Sequence, residues 1–125
     1  MDLIVAIQKH AQWKFRLASA LRSNESLDEA TISKDKCCEL GTWLHGEARA
    51  QYQHLPSYEK CVACHAQFHG EAGKIAAAIH ARKITEAERM LGSGAPFAEA
   101  SKNAGIAIIE LQNQLNMELK KRVRA

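Results

Sequence analysis

The sequence predicts an all-α protein, a four-helix bundle with one additional short helix. Apolar residues recur at helical spacing in four long stretches. Aromatic residues make up only 6% of the 125 positions and prolines stand only at Pro56 and Pro96, which argues against the many short strands and turns of a sandwich or barrel. Hydrophobic residues at 46% and charged residues at 25% give the balance of an ordinary globule with material for a core. The length fits a single domain over residues 1–125, since domains usually run to about 100–200 residues. No internal repeat, low-complexity tract or Gly-Ser linker interrupts it.

The first helix is expected from Leu3 to Arg22, carried by Leu3, Ile4, Ile7, Ala11, Leu17, Ala18 and Leu21, with Lys9 and Arg16 turned away. His10 falls on or near its buried stripe, and Trp13 flanks it on the same side. The polar stretch from Ser23 to Lys36 reads as a loop with a short helical turn around Leu27 to Ile32. A second helix follows from Asp35, a reasonable N-cap, to Tyr52, marked by Cys37, Cys38, Leu40, Trp43, Leu44 and Ala48. Gly41 inside it costs about 1 kcal/mol relative to alanine, which predicts close approach by another group beside Cys38.

After His54-Leu55-Pro56-Ser57 a long helix is expected to about Ala81 or Lys83. Its stripe is Tyr58, Cys61, Val62, His65, Phe68, His69, Ala72, Ile75, Ala76 and Ile79. Thr85 is the expected cap of a short helix from Glu86 to Leu91, closed by Gly92-Ser93-Gly94. Pro96 suits the first turn of the last helix, whose stripe runs Phe97, Ala100, Ala104, Ile108, Leu111, Leu115 and Leu119.

The net charge of +3, from 17 basic and 14 acidic residues, is too mild to predict a nucleic-acid partner. The basic run Lys120-Lys121-Arg122-Val123-Arg124 reads as a solvated helix end, with attraction to an acidic partner or membrane surface as the weaker reading. No apolar run approaches the roughly 18 residues of a span and no export signal is recognised, so the expectation is a cytoplasmic chain without membrane insertion. In a reducing compartment cysteines read as metal-binding or redox-active before they read as a disulfide framework.

Metal-capable residues are numerous: Cys37, Cys38, Cys61 and Cys64, with His10, His45, His54, His65, His69 and His80. His65 and His69 lie one helical turn apart and can fill two corners of a tetrahedral zinc site. The plain alternative is a pair of satisfied core histidines. His10 on a second helix and the Cys37-Cys38 pair beside Gly41 on a third supply the remaining corners, three imidazoles and one thiolate in all. A competing pattern is Cys61-Val62-Ala63-Cys64-His65, which spells the c-type haem attachment string with His65 as proximal ligand. It lacks an evident distal methionine, Met90 and Met117 standing in no motif, and leaves His10, Cys38 and His69 without a role. Cys61 and Cys64 as a redox dithiol are disfavoured, because such pairs open a helix of an α/β unit. Both then read as small buried apolar residues, and His45, His54 and His80 as solvated.

Taken in chain order, His10-x-x-Trp13, Cys38-x-Leu40-Gly41-x-Trp43 and His65-x-x-x-His69 resemble the chemoreceptor zinc-binding domain family, a cytoplasmic regulatory module of bacterial chemoreceptors and diguanylate cyclases. The resemblance implies Zn2+ held by His10, Cys38, His65 and His69. The resemblance implies Cys38 rather than Cys37, because the family's cysteine stands three before the glycine and five before the tryptophan, here Gly41 and Trp43. It also implies a homodimer of helical bundles and a linked or partner chemoreceptor or diguanylate cyclase. Trp13 and Trp43 are expected as walls around the metal, while Cys37, Cys61 and Cys64 lie outside the family pattern. A site closed by four protein ligands has no open position for substrate, so the expected role is regulatory and non-enzymatic.

Overall fold

The computed structural model describes residues 1–124; Ala125 and the side chain of Arg124, the end of the basic run, lie outside the described residues. The described residues form eight α-helices and one 3-10 turn, with no strand among them. They are α1 (Leu3–Ala11), α2 (Trp13–Ser23), α3 (Glu29–Ile32), the 3-10 turn Asp35–Cys37, α4 (Glu39–His45), α5 (Glu47–Tyr52), α6 (Pro56–His80), α7 (Ile84–Met90) and α8 (Pro96–Arg124). The fold is the all-α bundle that the apolar stripes predict. Its long helices α6 and α8 lie side by side, with α1 against α8 and α2 and α3 against α6.

Several helix ends obey simple capping chemistry. Asp2 caps α1 by accepting from the Ile4 and Val5 amides, both at 3.1 Å, which satisfies two otherwise orphaned donors. Pro56 opens α6 and Pro96 opens α8, where a missing N–H costs nothing. Asn24 closes α2 in the left-handed conformation that asparagine tolerates, at φ 60°. Thr85 does not cap α7: the helix begins at Ile84 behind Lys83, without a side-chain cap.

Two of the expected helices are segmented. The first pauses at Gln12, which keeps helical torsions and still bonds to Gln8 and Arg16, so α1 and α2 form a nearly continuous rod. The second, expected unbroken from Asp35 to Tyr52, is three pieces. Asp35 opens the 3-10 turn and does not cap a long helix. Cys38 is extended, at φ −90° and ψ 163°, and the chain leaves the helical path again at Gly46.

Two apolar clusters fill the bundle. One contains Leu17, Phe68, Ile75, Ile79, Phe97 and Ala104, the other Leu3, Leu40, Leu44, Tyr58, Cys61, Ile108 and Leu111. Between them lie His10, His65 and His69, polar residues buried in the bundle. The stripe of α8 runs past the bundle: Leu115 is half-buried and Leu119 exposed.

Candidate metal centre

The helical register of α6 sets His65 and His69 one above the other on its buried face. His10 comes from the last turn of α1 and Cys38 from the N-cap of α4. One donor atom from each of the four residues lies within 4.8 Å of all the others. The His65 Nε2 atom is 3.1 Å from Nε2 of His10, 3.1 Å from Nε2 of His69 and 3.2 Å from Sγ of Cys38. Cys38 Sγ is 3.7 Å from His10 Nε2. A tetrahedral ion with bonds of about 2.0–2.1 Å to nitrogen and about 2.3 Å to sulfur separates its ligand atoms by about 3.3 Å for nitrogen pairs and about 3.6 Å for nitrogen and sulfur. These four of the six separations fall close to such edges.

Proton bookkeeping favours a cation at the centre. The Nδ1–H of His10 donates to the Ala6 carbonyl at 2.7 Å, and that of His69 to the Ile32 carbonyl at 2.9 Å. Both bonds assign the proton to Nδ1 and leave the Nε2 lone pairs aimed inward, the second-sphere arrangement typical of metal-ligating imidazoles. His65 cannot satisfy both with one N–H, and its own Nδ1 is buried without a partner. Lone pairs thus outnumber protons at the centre, the donor set a Lewis acid fits.

Burial also keeps the rings neutral. It depresses His65 to about 3, reinforced by the neighbouring His69 and His10. His10 and His69 are lowered for the same reason, partly opposed by their carbonyl bonds. Burial pushes the Cys38 thiol up, against the amide bonds that favour its thiolate; one is the Gly41 N–H, which donates to Sγ at 3.3 Å. A bound cation would supply the charge that this thiolate lacks.

Gly41 answers the close approach expected from the sequence. A Cβ there would stand 1.6 Å from the Asp35 carbonyl oxygen and 3.2 Å from Cε1 of His65. Only glycine lets the 3-10 turn fold back over α4 and brings Cys38 under the His65 ring.

The structure leaves Cys37 exposed, Cys61 buried in the apolar core and Cys64 half-buried, all outside the cluster and all unpaired. Burial, with Cys64 nearby, pushes the Cys61 thiol up to about 12, so it behaves as the small apolar residue expected. His54 is exposed, and exposed His80 bonds Ser26 Oγ at 2.8 Å. His45 departs from the solvated reading. It is half-buried and lies 2.7 Å from Oδ2 of Asp35. Burial raises the Asp35 carboxyl, but the bond and charge of His45 outweigh this and hold it below its ordinary value. Its negative charge in turn favours positive charge at His65 and His69. No sequence pattern marks Asp35 and His45, which meet only because the 3-10 turn folds over α4. Phe68 also packs edge-on against His10 and His69, with centroids 5.2 and 5.4 Å away. Trp43 packs instead with Tyr52.

The family model of the chemoreceptor zinc-binding domain matches residues 10–76, more than half of the chain and a span that holds all four clustered residues. The chain belongs to this family. Comparisons with curated proteins and with solved structures found no match. Membership makes this a zinc-binding domain of the chemoreceptor-associated sensory type, and the cluster of three histidines and one cysteine fits a zinc site. Among the described residues no helix is long and apolar enough to cross a membrane.

Proposed function

We propose that His10, Cys38, His65 and His69 hold one zinc ion, and that the chain is a non-catalytic, cytoplasmic sensory module reporting zinc or oxidant status. The observation that carries this reading is the convergence of four donor atoms within 4.8 Å with two of the three imidazoles fixed by backbone carbonyls. Bound there, zinc supplies a cross-link among α1, α4 and α6 and a positive charge that holds Cys38 as thiolate. Cys38 is the soft member of the set, open to protonation or oxidation. Because it caps α4, its release frees α4 and the 3-10 turn from His65. His65 and His69 stay on the rigid face of α6. The resulting shift of α1 and α4 against α6, within a homodimer, is the signal passed to a chemoreceptor or diguanylate cyclase-type partner.

The haem reading gains nothing from the geometry. A thioether at Cys61 would require a side chain only 1% exposed to leave the core. The deciding experiment is elemental analysis and absorption of the purified chain, with Cys38→Ala and Cys37→Ala beside it. One zinc per chain, lost in Cys38→Ala and kept in Cys37→Ala, is expected. A Soret band, or equal loss in both variants, overturns the assignment. Sedimentation of the loaded and stripped chain tests the homodimer.

A further inference from the structure

A cavity of about 320 Å³ opens between α1, α2 and α4, and its wall includes Lys9, His10, Trp13, Arg16, Cys38 and Leu40. His10 and Cys38 border it, whereas His65 and His69 do not and are 0% and 3% exposed. The cluster is therefore reached from the His10 and Cys38 side. The volume is at the lower end for small-molecule sites and far above what one water needs.

The charges on this wall are not equivalent. The Asp2 carboxylate is engaged in capping α1, and Glu39 pairs with Lys9 at 3.0 Å across the α1–α4 edge. The Arg16 guanidinium lies over the Trp13 ring, 4.1 Å from its centroid, and has no carboxylate partner within salt-bridge distance among the described residues. A planar fork held on an aromatic face, with its donors uncommitted, is suited to a carboxylate. The same cavity is bordered by Cys38 and His10 of the cluster.

We propose that this cavity binds a small thiol that also carries a carboxylate, and that its occupant governs how fast metal leaves the cluster. The carboxylate sits on Arg16 beside Trp13, and the thiolate faces His10 and Cys38. A thiolate that takes the place of Cys38, with the freed Cys38 sulfur taking up a proton from solvent, exchanges one anionic sulfur for another, so the charge of the buried donor set does not change. A neutral incoming ligand would leave that charge altered in a poorly solvated place. The Lys9–Glu39 pair at the rim is exposed on both sides, and such pairs open at little cost.

The inference rests on the ligand set proposed above. Its test follows zinc transfer from the loaded chain to a colorimetric zinc indicator in the presence of mercaptoacetate or 2-mercaptoethanol at equal thiolate concentration. Mercaptoacetate is expected to release zinc about tenfold faster, the worth of one charge-assisted hydrogen bond, and to saturate with concentration. Arg16→Gln should abolish that advantage and leave release by 2-mercaptoethanol unchanged. Arg22→Gln, which removes the same charge away from the cavity wall, should preserve it. Equal, unsaturated rates for the two thiols, or an advantage that survives Arg16→Gln, overturn the cavity's role. A chain that carries no zinc, or keeps it in His65→Ala, overturns the ligand set instead.

Discussion

The long helices and the N-terminal segments are built on different principles. α6 has 25 residues and α8 has 29, and they pack along a shared apolar stripe. The helices of residues 3–52 have 9, 11, 4, 7 and 6 residues, all shorter than the roughly 12–15 at which an isolated helix becomes even marginal. Tertiary contacts must hold these segments, and several of those contacts are polar and surround the cluster. His69 holds the Ile32 carbonyl of α3, Gly41 bonds Cys38, and Asp35 bonds His45. The candidate metal centre thus lies at a seam, with two of its residues on the firm long helix and two on the segments that need support. A ligand at such a seam acts mainly on one side of it.

Metal removal is the strongest test of that asymmetry. For zinc present at a thousand times its dissociation constant, binding adds about 4 kcal/mol to stability. Stripping it should weaken amide exchange protection in α1 and α4 far more than in the middle of α6 and α8. Uniform loss across the chain would break the comparison. Gly41→Ala strikes the seam without replacing any of the four clustered residues. Its Cβ would meet backbone rather than a flexible side chain, and overpacking of this kind costs about 1–3 kcal/mol. Chemical denaturation should show that loss, and elemental analysis should show less zinc retained. Full zinc content at wild-type stability would mean the 3-10 turn does not hold Cys38 in place.

Acidity sharpens the comparison in the metal-free chain. His65 is held near 3 in the folded state and returns to about 6.5 when unfolded, so below pH 6.5 the unfolded chain binds the extra proton. Stability is therefore fully present above pH 6.5 and falls as pH drops, by roughly 1 kcal/mol per pH unit for this ring alone. His10 and His69 shift in the same direction and steepen the slope. Melting of the stripped chain between pH 7.5 and 5 should show this fall, and His65→Gln should flatten it. An unchanged slope in that variant would place the acid sensitivity elsewhere.

Legibility in the sequence divides along the same seam. Periodicity persists over the length of α6 and α8, so their stripes and their opening prolines could be read directly. The break at Cys38 could not, because it depends on the Asp35 carbonyl reaching Gly41 once His65 is packed beneath. Gly41 was the visible trace of that contact. The His65 and His69 pair follows from helical spacing, but adjacent Cys37 and Cys38 have no periodic distinction, and only the family resemblance separated them before the structure brought Cys38 alone to the cluster. The Asp35–His45 pair had no signal, since residues ten apart meet here through a turn that the stripe pattern had absorbed into one helix.

The smallest effect expected is at Tyr58, and it distinguishes the two regions finely. The chain breaks helical bonding at Gly46, and the Leu44 carbonyl, which would otherwise accept from the next turn, accepts instead from the Tyr58 hydroxyl of α6 at 2.7 Å. The long helix thereby supplies a bond that the segmented region cannot make for itself. Tyr58→Phe keeps the ring in its buried place and leaves that carbonyl unpaired, at a cost of about 1 kcal/mol. The loss should appear as faster amide exchange in α4 and α5, with α6 and α8 unmoved, because the ring still packs and only the short segments lose a tether. Faster exchange in α6 itself would mean that the support runs in both directions, and that the long helices are less independent of the seam than their packing indicates.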